Sequence, residues 1–130
     1  MKFGLFCFIK DVKVDFVRYP HPLIRPVERI GFVRMASTED IAAMKIKAIL
    51  GRGNKKDFFD LVELIDKISL GQIIQLYTEK YPDSQILISI PSALTWFDDA
   101  ENSPDPLSLN GTSWEDVKQS IRAAVREYLA

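Results

Sequence analysis

The sequence predicts an α+β protein, with a small antiparallel β-sheet within the first 35 residues and an α-helical bundle over residues 36–130. Three observations predict it. β-rich runs alternate with period two at the start of the chain, apolar residues recur at helical spacing from Ser37 onward, and Pro20, Pro22 and Pro26 separate the two patterns. A chain of 130 residues with 47% hydrophobic content can build one ordinary core, so a single compact unit is expected.

Lys2 to Ile9 and Val12 to Tyr19 are rich in β-branched and aromatic residues and flank Lys10-Asp11, which reads as an antiparallel hairpin. In the second run Val12, Val14 and Phe16 alternate to one face, and Lys13, Asp15 and Val17 to the other. Asp15 is thus a mid-strand carboxylate, either a ligand or an exposed side chain on the solvent face. The prolines then force an extended linker, and Glu28 to Met35 offers one more short strand.

Ser37-Thr-Glu-Asp40 resembles a capping box, opening a helix near Glu39. Gly51 and Gly53 end that helix and allow a tight turn into a second, Lys55 to Lys67. Leu70, Ile73, Ile74 and Tyr77 suggest a third, capped by Ser69 and stopped at Tyr81-Pro82. Gln85 to Phe97 suits a strand as well as a helix; it is read as a helix broken near Pro91. Ser103 to Gly111 is a loop, and Ser113 caps a last helix with Trp114, Val117, Ile121, Val125 and Leu129 along one side.

Charges in the first two helices break this pattern. On a helical wheel Lys45 falls inside the stripe formed by Ile41, Ala48 and Ile49, whereas Lys47 points away from it. In the second helix Asp57 lies between Leu61 and Leu64, and Asp60 one step outside the apolar arc. Charges on an apolar face are costly unless paired or serving a ligand, so Lys45 and Asp57 are expected to face each other, or a shared site, across the helix pair. A structural pairing that only locks two helices is the alternative.

Net charge is −1, which argues against a general nucleic-acid binder. It is unevenly spread: residues 1–60 carry twelve Lys/Arg against seven Asp/Glu, and residues 61–130 five against eleven. A basic first half containing the odd lysine fits a phosphate-bearing ligand. Cys7, the single cysteine, excludes an internal disulfide and reads as a small core residue in a reduced, cytoplasmic setting. Met1 to Ile9 is too short for a membrane helix and lacks a cleavage signal, so no membrane association is expected. With one Cys and one His, zinc chemistry is not expected, and His21, between two prolines, reads as an exposed loop residue. Neither a dinucleotide fingerprint nor a phosphate loop occurs. Asp15 with Lys45, Arg52, Asp57 and Asp60 could serve phosphoryl chemistry in which Mg²⁺ and cations neutralise a triphosphate, although one strand carboxylate cannot hold two metals.

Three stretches carry a family resemblance: Val12-Lys-Val-Asp-Phe-Val-Arg-Tyr-Pro20, Asp40-Ile-Ala-Ala-Met-Lys-Ile-Lys-Ala-Ile49, and Arg52-Gly-Asn-Lys-Lys-Asp-Phe-Phe-Asp-Leu61. Weaker similarity continues through Trp96 to Glu101 and Trp114 to Lys118. The chain resembles the AbiEii/AbiGii-type nucleotidyltransferases, toxins of bacterial toxin-antitoxin systems related to the polymerase-beta-like superfamily. The resemblance implies a partial nucleotidyltransferase fold and Mg²⁺-dependent transfer of a nucleotide from an NTP, with tRNA as acceptor for some members and an antitoxin protein as partner. It implies Asp15 as a metal-site carboxylate, Lys45 as the helix lysine that contacts nucleotide phosphate, and Asp57 as the second-motif acid, with Arg52, Lys56 and Asp60 beside them. The Gly-Ser turn and Asp-x-Asp pair of such enzymes do not occur in the 130 residues. The expectation is therefore a truncated protein, inactive alone, that keeps part of an NTP and Mg²⁺ site. The alternative is a non-catalytic interaction module that forms a homo-oligomer or binds a protein partner through its exposed sheet.

Overall fold

A computed structural model describes residues 4–84 and 89–130. Two separate antiparallel hairpins precede the helices: β1 (Gly4–Ile9) pairs with β2 (Val12–Val17), and β3 (Glu28–Ile30) with β4 (Val33–Met35). The first matches the expected hairpin, with Lys10 and Asp11 at φ 49° and 66° making its turn. The second corrects the expectation of one short strand. Gly31, at φ 59°, turns the chain back on itself, so Glu28 to Met35 makes two three-residue strands.

Six helices follow among the described residues: α1 (Thr38–Gly51), α2 (Lys55–Ile65), α3 (Leu70–Lys80), α4 (Ile90–Leu94), α5 (Asp98–Glu101) and α6 (Trp114–Leu129). Their starts follow the capping residues. Ser69 and Ser113 each form a full reciprocal capping box, with Gln72 and Asp116. Ser37 accepts from the Asp40 amide, but the Asp40 carboxylate accepts from the Ser37 hydroxyl and the Ile24 and Arg25 amides instead of the Ser37 amide, so that box is only half formed. Gly53, at φ 60°, makes the turn between α1 and α2. Pro91, where a break in a helix is expected, stands at the start of one. It sits in the first turn of α4, behind the Ser89 cap, where its missing N–H costs nothing. The first part of that expected helix, residues 85–88, lies outside the described residues.

Among the described residues every buried apolar side chain lies between Ala42 and Val125, so the helical region makes the core. α1 packs on α2 and α3, and α6 on α2 and α3, around Ile46, Phe58, Leu61, Ile73, Leu94 and Ile121. The face of α1 turned inward is Ala42, Ala43, Ile46 and Ile49; Ile41 and Ala48 are only half-buried, which corrects the expected stripe. Lys45 stands at its rim. Fully burying a Phe or Leu side chain is worth about 1.5–3 kcal/mol. The hairpins have almost none of that support, since Leu5, Phe6, Phe8, Ile9, Val12, Phe16 and Val17 are all more than half exposed. Cys7 is likewise on the hairpin and outside the core, its thiol 3.5 Å from the Val14 carbonyl.

The linker between the hairpins is tied to the bundle by buried charge. Asp40 and Lys80 are both fully buried and 2.6 Å apart, and Asp40 also accepts from the Ile24 and Arg25 amides at 3.0 and 3.1 Å. Lys80 donates to the Pro22 carbonyl at 3.0 Å. Hydrogen bonds from Lys80, the Ile24 amide and Ser37 outweigh the upward push of burial and hold the Asp40 carboxyl below its ordinary pKa. His21 is not a free loop residue: it is half-buried, edge-on to Tyr19 and Tyr81 at 5.1 and 4.8 Å between ring centres.

Candidate functional site

The turn from α1 to α2 gathers most of the charges singled out in the sequence. Asp57, in the first turn of α2, is completely buried. Arg52, just beyond α1, grips it with two hydrogen bonds, Nε to Oδ2 and Nη2 to Oδ1, each 3.1 Å. Lys45, two turns back in α1, lies 3.5 Å from Asp57 Oδ1 and 2.7 Å from Asp60 Oδ2. Burial pushes the Asp57 carboxyl up, but the Arg52 hydrogen bonds and charge, helped by Lys45, hold it below its ordinary value. The same contact raises Arg52.

These distances bear on the two roles left open for Lys45. A bidentate guanidinium is the stronger partner for a buried carboxylate, so Arg52 meets the structural need of Asp57. Lys45's nearer partner is Asp60, whose side chain is 54% exposed, and an exposed pair of this kind is worth about 0–1 kcal/mol. Lys45 can therefore turn from Asp60 to an anionic ligand at small cost, whereas Arg52 leaves only part of its donor set free.

Lys45 and Arg52 line a cavity of about 320 Å³ together with Tyr19, Ile41, Met44, Lys47 and Ala48. Its lining combines three apolar side chains of α1, Ile41, Met44 and Ala48, with three cations. Among the described residues Lys47 has no acidic partner within 4 Å, and its ammonium lies 4.7 Å from the centre of the Tyr81 ring. A larger hollow of about 490 Å³ between residues 65–71 and the end of α6 contains none of the residues singled out in the sequence, so chemistry, not volume, selects the smaller one. Lys56 is exposed and lines a different groove, with Asp60, under the loop from Pro106 to Thr112.

Asp15 is not brought to this cluster. It lies on β2 opposite Phe6, pairs with Lys13 at 3.7 Å, and shares no hydrogen bond or ion pair with Lys45, Arg52, Asp57 or Asp60 among the described residues. Nor do three His, Cys, Asp or Glu side chains gather among the described residues as a metal group. With Asp57 held by Arg52 and Asp15 paired with Lys13, the donors among the described residues do not fit Mg²⁺ on their own. No helix among the described residues is long and apolar enough to cross a membrane.

Sequence reasoning missed Tyr19, Lys47 and the Asp40–Lys80 pair. Lys80 had a signal: it continues the spacing of Leu70, Ile73 and Tyr77, the same misplacement that marked Lys45. Tyr19 and Lys47 had none, because only the folded linker brings them to one cavity.

A sequence profile of the family described as "Nucleotidyl transferase AbiEii toxin, Type IV TA system" matches residues 10–129. The chain is similar to an uncharacterized protein of Aquifex aeolicus (strain VF5), 33% identical over 134 residues, a match covering 96% of this chain and 61% of that protein. The chain thus spans about three-fifths of the length of that curated relative. No solved structure matches it to a significant degree.

Proposed function

Because the chain belongs to the AbiEii nucleotidyltransferase toxin family of type IV toxin-antitoxin systems, we propose that it carries the polyphosphate-binding part of a nucleotidyltransferase site. Lys45 is the principal phosphate contact, Arg52 contributes its remaining donors, and buried Asp57 orients both. Asp60 holds Lys45 until the ligand arrives. The observation that carries this reading is the 320 Å³ cavity in which Lys45, Lys47 and Arg52 converge while Asp57 is satisfied by Arg52. When bound, Mg²⁺ would neutralise the triphosphate. The residues described do not make its site, so the chain is proposed to bind NTP without transferring its nucleotide unaided, with Asp15 and Lys56 outside the phosphate cavity. Transfer to an acceptor such as tRNA, control by an antitoxin, and a cytoplasmic setting belong to the same proposal.

Titration calorimetry with ATP in Mg²⁺ buffer tests it. Weak binding is expected for the native chain, with a loss of about tenfold or more in Lys45→Ala, as for removal of one charge-assisted contact. Absence of binding, or binding indifferent to that substitution, sinks it.

A second reading, an interaction module, is favoured by one specific observation. The register of β1 and β2 puts Leu5, Cys7, Ile9, Val12, Val14 and Phe16 on one face with no polar residue among them. A two-stranded hairpin is marginal in water, so such a face calls for cover by protein. None of those six residues lines the phosphate cavity, so self-association through that face is compatible with it.

A further inference from the structure

We infer that Tyr19 is the wall of the cavity against which the base of a bound nucleotide lies. This rests on the polyphosphate reading and names the part of the ligand that reading leaves unassigned. Three cations account for phosphates, but not for Tyr19, 42% exposed and lining the same cavity with the apolar Ile41, Met44 and Ala48.

The ring is held in place from several sides. Its hydroxyl is hydrogen-bonded to the Tyr81 hydroxyl, His21 abuts it edge-on at 5.1 Å, and the buried Lys80 ammonium lies 5.8 Å from its centre. With the hydroxyl so engaged, the ring itself is what Tyr19 offers to a ligand. A fixed aromatic surface next to a cationic rim suits a flat base joined to a polyphosphate. Stacking needs no hydrogen-bond code, so the wall accepts any of the bases and prefers the larger purines.

Two probes, ATP and inorganic tripolyphosphate, separate the base from the phosphates in calorimetry on the full chain. ATP is expected to bind about tenfold tighter than tripolyphosphate, within the range of base–aromatic stacking. Tyr19→Leu should reduce ATP to the level of tripolyphosphate and leave tripolyphosphate binding unchanged, while Tyr19→Phe keeps most of the advantage. Lys45→Ala should weaken both probes. If Tyr19→Leu leaves the ratio of the two affinities unchanged, the assignment of Tyr19 falls and the phosphate site stands. If Tyr19→Leu and Tyr19→Phe lose both probes alike, Tyr19 is a tether of the linker and the assignment is equally overturned. If the native chain binds neither probe, the phosphate reading fails and takes this inference with it.

Discussion

Lys45, midway along α1, and Lys80, the last residue of α3, each follow the apolar spacing of their helix, yet their surroundings assign them opposite costs. Lys80 and Asp40 are both at zero exposure, and removing one member of such a pair leaves a buried charge without its counterion. Lys80→Met should therefore destabilise the fold by about 3–5 kcal/mol, read from urea denaturation. Lys45→Met, whose nearest carboxylate is exposed, should cost less than about 1 kcal/mol in the same experiment. A comparable loss for the two would mean that Lys45 is a structural lock after all. A stable Lys45 variant that no longer binds ATP would set the residue apart as functional.

At the level of elements, the division of labour lies between helices that carry the core and hairpins that do not. The wholly apolar face of the first hairpin makes the interaction-module reading quantitative. Val12→Lys with Phe16→Lys should change folding stability by no more than about 0.5 kcal/mol per site, because both side chains are already more than half exposed. The same substitutions should shift the chain towards monomer in analytical ultracentrifugation. A native chain that is already monomeric at tens of micromolar would end the self-association reading. Helix caps, in contrast, need no partner to be understood. Ser69 and Ser113 are satisfied within their own first turns.

For the whole molecule, two buried carboxylates set the response to acid. Asp40 and Asp57 are both held below their ordinary value of 3.8 in the folded chain. Their stabilisation is thus complete above about pH 4 and is lost as pH falls below 3.8 towards the folded-state values. A plot of stability against pH should fall on that acid side, and Asp57→Asn should flatten it there while lowering stability near neutrality. Much of this architecture was legible in the sequence: the first hairpin, three long helices by their caps, and the meeting of Lys45 with Asp57. Those are local signals or pairs close along the chain. The second hairpin was hidden because Gly31 makes a turn inside what reads as one short strand. The cavity was half legible, since α1 supplies Lys45 and Ile41, but its Tyr19 side depends on Lys80 and Tyr81, some sixty residues away. Asp15 was legible as a mid-strand anomaly, but its bonding partner, Lys13, was not, because strand periodicity fixes a face and not a contact. One detail of the linker bears on how this chain can vary over evolutionary time. Asp40 holds the path of residues 24 and 25 through their main-chain amides. That hold needs only an amide N–H at each position, so proline is the residue it bars from both.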